Sequence, residues 1–153
     1  MANTYTQLNM HVVFAVKGKE NILPAKMRPL LFKYISGILT NINQYSLAVN
    51  GYKDHVHIFF EMHPDKSLSE IVRIVKASSS KWINNNKMII GNFHWQEGYG
   101  GFSYSRSQRD RVIQYIIKQE EHHHQKTFRE EYIGLLRTFE IKFEEQYVFD
   151  FYE

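Results

Sequence analysis

Three features of the sequence predict an α+β chain built on one antiparallel sheet. They are segments of alternating apolar and polar residues, segments with apolar residues at helical spacing, and the order in which the two kinds follow each other. From Thr4 to Val16, Leu8, Met10, Val12, Phe14 and Val16 face one way while Gln7, Asn9 and His11 face the other, the pattern of a half-buried strand. Lys17-Gly-Lys-Glu20 is a turn. A helix follows to about Asn43, with Leu30, Leu31, Tyr34, Ile35, Ile38 and Leu39 at helical spacing; Pro24 suits a first position, but Pro29 moves the start towards Arg28. Tyr45–Tyr52 reads as a second strand and Asp54–His63 as a third. In the third, Val56, Ile58 and Phe60 share one face, and His55, His57 and Phe59 share the other.

Ser67-Leu-Ser-Glu70 is a capping box that opens a helix to about Asn84, with its stripe at Leu68, Ile71, Val72, Val75 and Trp82. Phe93–Ser105 reads as a fourth strand region broken by a flexible loop at Gly98-Tyr-Gly-Gly101. Ser107-Gln-Arg-Asp110 caps a helix reaching about Lys126, and a last short helix spans roughly Phe128 to Thr138. Strand, helix, strand, strand, helix, strand, helix is the ferredoxin-like split βαβ order, with two helices packed on one face of the sheet and a further helix carrying Tyr115 towards the C-terminus. The expected organisation is one domain over 1–127 and an acidic helical extension over 128–153.

Composition narrows the chemistry. The chain has 153 residues, 43% of them hydrophobic and 23% charged, and 23 aromatic residues to fill a core. It has no cysteine, which excludes disulfides, thiolate nucleophiles and cysteine-bound metal centres. No apolar run reaches the roughly 18 residues of a membrane span. The start lacks a basic and an apolar stretch, so a cytoplasmic location without a membrane partner is the expectation. The net charge of +3 hides an uneven division: residues 128–153 carry 3 basic and 7 acidic residues, so the rest of the chain is net +7. A basic body points to a polyanionic partner; a solvated surface with a charged terminal helix is the plainer explanation.

His55-Val-His57 places two imidazoles on one side of a strand, where they can converge on one cation; the alternative is a pair of ordinary surface or core histidines. On the helix from Ser107, Tyr115 lies one turn from Gln119 and two turns from His122, off the sector of Val112, Ile113, Ile116 and Ile117. An amide oxygen there can act as a third ligand, or Tyr115 can simply cap the core with its ring. Consecutive side chains on a helix point about 100° apart, so His122-His-His124 cannot hold one ion together; the run reads as mostly solvated, with only His122 near the site.

Asp54-His-Val-His57, Trp95-Gln-Glu-Gly-Tyr-Gly-Gly-Phe-Ser103 and Tyr115-Ile-Ile-Lys-Gln-Glu-Glu-His-His123, in this order within residues 4–127, resemble the single-tyrosine HUH transposases of small bacterial insertion sequences. The resemblance is strongest to the sub-group of REP-associated tyrosine transposases. It implies a divalent metal, Mg²⁺ or Mn²⁺, on His55, His57 and Gln119, with Tyr115 as nucleophile and a 5′-phosphotyrosine intermediate. It also implies a homodimer acting on single-stranded DNA hairpins without a nucleotide cofactor. Lys118 stands where relatives often have Asn. Only about one phenol in 1,000 is ionised at pH 7, a deficit of roughly 4 kcal/mol that the site has to recover; His122 or a metal-bound water is a candidate proton acceptor. Phosphate contacts are expected at Arg73, Lys76, Lys81, Arg106, Arg109 and Arg111. Two other classes stay open: a catalytically silent protein that binds single-stranded nucleic-acid hairpins, and a metal-dependent phosphodiesterase that uses water.

Overall fold

The computed structural model describes residues 3–19 and 22–152. Four strands form one antiparallel sheet in the order β2-β3-β1-β4: β1 is Asn9–Ala15, β2 Tyr45–Gly51, β3 His55–Glu61 and β4 Gly100–Tyr104. The ferredoxin-like arrangement expected from the element order is the one observed. Helices α1 (Arg28–Asn41) and α2 (Leu68–Asn85) cover one face, where Leu31, Ile35 and Leu39 of α1 and Ile71, Val75 and Ile83 of α2 bury Val12, Phe14, Val56, Ile58 and Phe60. Helix α1 starts at Arg28, with Pro29 in the first turn, where no helical N–H is needed. Ser67 Oγ accepts the Glu70 N–H and opens α2. None of the described helices is long and apolar enough to cross a membrane.

The second face is also covered, so β1 is buried on both sides rather than half-buried: His11, Val13 and Ala15 are as inaccessible as Val12 and Phe14. Helix α3 (Arg109–Ile117) lies over β2 and β3 through Val112 and Ile116 against Ala48 and Phe59. Helix α5 (Phe128–Thr138), capped by the reciprocal Thr127–Glu130 box, packs Phe128, Tyr132 and Leu136 on Val13, Ala15 and Phe102. The end of the chain is tied down as well: Gln96 Nε2 donates to Val16 O at 2.9 Å and Asp150 O at 2.8 Å, and Asp150 N donates back to Gln96 Oε1. The Gly18 N–H donates to the Tyr152 hydroxyl. Trp95, beside Gln96, is core, edge-on to Phe14 and Phe93 with its indole N–H on Ser79 Oγ.

Three local expectations are corrected, and one reaches beyond the described residues. The turn after the first strand includes Glu20, which lies outside the described residues. Gly100 and Gly101 belong to β4, not to a loop. They are glycines because of what lies above and below: a Cβ on Gly100 would run into the Tyr132 ring, and one on Gly101 would come within 3.1 Å of Leu68 Cδ2. The helix expected from a Ser107 cap starts from Ser105, boxed with Gln108, through a 3₁₀ turn over Arg106–Gln108. It also does not run unbroken to Lys126. It stops at Ile117, where Asn50 Nδ2 donates to the Ile116 and Ile117 carbonyls at 2.9 Å each, and restarts as α4, Gln119–His122. Asn50 supplies from β2 the donor that the last helical carbonyls lack.

Candidate metal and nucleophile site

Strand alternation alone puts His55 and His57 on the face that α3, α4 and α5 cover, and both are fully buried. Each ring is fixed through Nδ1. His55 Nδ1 lies 2.7 Å from Asp54 Oδ1, and His57 Nδ1 lies 2.7 Å from His11 Nε2. Both Nε2 atoms therefore point the same way, into the space under α4 and α5. Holding one imidazole nitrogen so that the other is aimed is how histidine ligands are oriented. Phe128, at the start of α5, stacks flat on His55 with ring centroids 4.0 Å apart.

Into that space comes Glu131 of α5. Its Oε1 lies 3.1 Å from His57 Nε2, 3.4 Å from His55 Nε2 and 3.3 Å from His123 Nε2. Its Oε2 accepts from Gln119 Nε2 at 2.8 Å and from the Tyr115 hydroxyl in a short hydrogen bond. Gln119, fully buried, faces His55 Nε2 with Oε1 at 3.0 Å and His123 Nε2 at 3.1 Å. Tyr115, near the end of α3, sits edge-on to His57 with ring centroids 5.8 Å apart.

The electrostatics follow from this packing. Burial disfavours the charged form of His55, but hydrogen bonds and charge from Asp54 and Glu131 outweigh it and raise the ring to about 9. Burial holds His57 below its ordinary value despite Glu131, and holds His11 well below it, with His57 adding to the effect. Burial would protonate Glu131, yet the neighbouring histidines push its carboxyl far below the usual range, so it stays ionised. The Tyr115 phenol is raised strongly, first by burial and then by the Glu131 charge. One chain thus holds a buried carboxylate among three imidazoles, an amide and a phenol.

Three of these residues lie outside the set expected from the sequence. Glu131 belongs to the segment 128–153 that the sequence predicts as an acidic extension. Its signal was an acid inside an apolar stripe, since Phe128, Tyr132 and Leu135 flank it at helical spacing. His123, expected in solvent, lies one turn after Gln119, and with the helix restarting at Gln119 both point into the site; its ring stacks on Tyr52. His11 lies on the same strand face as the pair, adjacent to them across β1 and β3, and its Nδ1 has no partner among the described residues. His122 lies over the Tyr115 ring at 4.9 Å between centroids, on the exposed side; His124 is exposed.

The basic residues divide. Lys76 Nζ donates to the Gln96 and Gly98 carbonyls at 2.8 and 2.5 Å, and burial lowers it to about 8. Arg109 is engaged by Asn9 and Glu61, clamping the start of α3 to β1 and β3. Both are spent within the chain. Arg73 and Lys81 are exposed on α2, on the side of the sheet away from the histidines. Arg106 is exposed ahead of α3, and Arg111 lines an open pocket of about 620 Å³ beside Tyr115 and Glu131.

The family described as "Transposase IS200 like" matches residues 4–119. Among solved structures, a candidate transposase from Deinococcus radiodurans R1 is similar, with a TM-score of 0.60 and 21% identity over 78% of this chain and 95% of the other. A REP-associated tyrosine transposase bound to a REP hairpin is also similar, with a TM-score of 0.58 and 13% identity over 80% of this chain and 73% of the other. No curated protein matches this chain in sequence. Both structural likenesses concern the fold.

Proposed function

This chain belongs to the IS200-like transposase family, and on that premise we propose that it nicks and rejoins single-stranded DNA at hairpin-marked ends through a phosphotyrosine formed on Tyr115. The observation that carries the reading is the convergence of Tyr115 with two aimed imidazoles, an amide and a carboxylate in one buried cluster. The fold's likeness to a hairpin-bound tyrosine transposase supports a DNA hairpin as the partner.

The donor set fits a divalent cation. Ligand atoms of His55, His57 and Glu131 lie within 4.8 Å of one another, and Gln119 Oε1 adjoins them. Two imidazole nitrogens with oxygen donors suit a first-row transition ion, so Mn²⁺ should serve at least as well as Mg²⁺. When bound, the ion supplies Lewis-acid stabilisation of the charge that builds on the attacked phosphate. The rest falls to the chain. Tyr115 Oη forms a bond to phosphorus as the bond from phosphorus to the 3′ oxygen breaks. Glu131 Oε2 accepts the Tyr115 hydrogen bond and orients the phenol; the phenol proton leaves on the exposed side, to water or to the His122 ring that lies over Tyr115, and the departing 3′ oxygen takes a proton from water. The phosphodiester energy is retained on Tyr115, so a 3′-hydroxyl can reverse the step without a nucleotide cofactor. Of the six basic residues expected to contact phosphate, Arg106 and Arg111 lie on this side and are left to meet the DNA backbone. The protein acts as a homodimer in this reading, and Tyr115 and both histidines of each site come from one copy.

The test is incubation with single-stranded hairpins from the flanks of the protein's own gene, with Mn²⁺ or Mg²⁺, followed by denaturing gels and peptide mass spectrometry. A covalent adduct on Tyr115, lost in Tyr115→Phe, in His57→Ala and in EDTA, is the expected result. Tight hairpin binding without any adduct would replace strand transfer by binding alone.

A further inference from the structure

We propose that the pocket between α3 and α5 is a nucleotide subsite, and that it receives the unpaired base of the nucleotide that stays attached to Tyr115. This rests on the reading of Tyr115 as nucleophile and adds to it the part of the DNA that the protein itself grips.

The geometry points there from the chemistry of the step. In an in-line displacement the leaving 3′ oxygen lies on the far side of phosphorus from Tyr115 Oη. The 5′ oxygen of the retained nucleotide is equatorial, to the side of the attacking atom. Behind Tyr115 the way is closed by His57 and His11, both fully buried. To the side it opens into the cavity of about 620 Å³ that Tyr115 and Glu131 floor, a size ordinary for a small-molecule site. The walls suit a base and the rim suits its phosphate. Tyr104 offers an aromatic ring and Val112 and Leu135 apolar surface, while Arg111 and Lys126 stand at the rim; Glu131, committed to the histidines, is the one acidic residue of the lining. Base stacking on aromatic side chains beside cationic groups is how proteins hold unpaired nucleotides.

A second observation concerns one residue of the lining. Gly134 lines this pocket from α5, inside a helix where glycine is unfavourable relative to other residues. Neither of the usual reasons for it applies: its φ is not positive, and a Cβ built there meets nothing within 4 Å. Its missing side chain leaves this stretch of the pocket wall open.

The experiment uses the full chain and the flanking hairpin oligonucleotide that gives the adduct, in a normal form and in forms with one tetrahydrofuran abasic residue at successive positions. With wild-type protein, removing the base immediately 3′ of the cut phosphate should lower the adduct rate at subsaturating DNA by about tenfold or more, the scale of one stacked base, with smaller effects elsewhere in the single-stranded flank. Gly134→Phe should lose about as much on normal DNA and lose little more when that base is absent, because the base and the new ring compete for one space. Gly134→Ala, which adds one methyl group to the pocket, should lose less than Gly134→Phe. The inference is overturned alone if wild-type adducts form at one rate with and without that base, if the sensitive base lies 5′ of the cut, or if folded Gly134→Phe equals wild type. If wild-type protein forms no adduct on any flanking hairpin, the strand-transfer reading itself fails and the subsite falls with it.

Discussion

Replacing Glu131 by Gln preserves shape while removing one charge and one acceptor. In the native site Oε2 accepts from Tyr115 and Gln119, and Oε1 faces His57 and His123. A glutamine has a single acceptor oxygen, so one pair of donors loses its partner. His55, held charged at neutral pH and 3.4 Å from Oε1, also loses a counter-charge. Leaving a buried charge uncompensated costs about 3–5 kcal/mol. Asp54, 2.7 Å from His55 Nδ1, keeps part of the compensation, which puts the expected loss near the lower end, about 3 kcal/mol. For a chain of this length that lowers Tm by about 6–12 °C. The assay is thermal and urea unfolding of both proteins at pH 7, in EDTA and again with Mn²⁺. At a hundred times its Kd the ion should stabilise wild type by about 2.7 kcal/mol. A tenfold weaker site under the same conditions gains about 1.4 kcal/mol, so the ion-induced rise in Tm should be about halved in Glu131→Gln. An unchanged Tm in EDTA together with an equal response to Mn²⁺ would refute both roles given to this carboxylate.

Two further outcomes follow from the same contacts. His55 is raised from 6.5 to about 9, so the stability it contributes is complete below pH 6.5 and is lost as pH climbs through about 9. That gap corresponds to about 3 kcal/mol. Denaturant midpoints in EDTA should therefore fall between pH 6.5 and 9.5, and in Asp54→Asn the slope should flatten; parallel curves would show that Asp54 does not hold the proton on His55. Gly100→Ala places a methyl group against the Tyr132 ring, and the overpacking should cost about 1–3 kcal/mol. Because Tyr132 adjoins Glu131 on α5, this change should also weaken the Mn²⁺-induced rise in Tm, which calorimetry with and without the ion would reveal.

The site was legible from sequence wherever its geometry is local. Alternation along β3 is a property of the extended backbone, and it alone puts His55 and His57 side by side. The helical position of Tyr115 follows from periodicity in the same way. Gln119 is an instructive intermediate. Periodicity puts it one turn from Tyr115 on a continuous helix, yet the helix breaks between them because Asn50, 66 residues before Ile116, caps it from β2. Gln119 nonetheless meets His55 across 64 residues. The same break aims His123 inward, which counting along an unbroken helix could not show.

The sequence by itself determined the strand and helix order, the face on which the histidines lie and the family resemblance carried by three short motifs, because each depends on spacings within one element. Only the tertiary structure decided what closes the second face of the sheet. Gln96 and Gly18 tie down the end of the chain, Gly100 leaves room for Tyr132, and α5 is thereby docked so that Glu131 meets His57, 74 residues earlier in the chain. An acidic residue in a helix belongs in water on composition alone. It is the positive charge of His55 and the hydrogen-bond donors waiting on a distant strand that make its burial favourable, and a one-dimensional pattern does not contain that compensation.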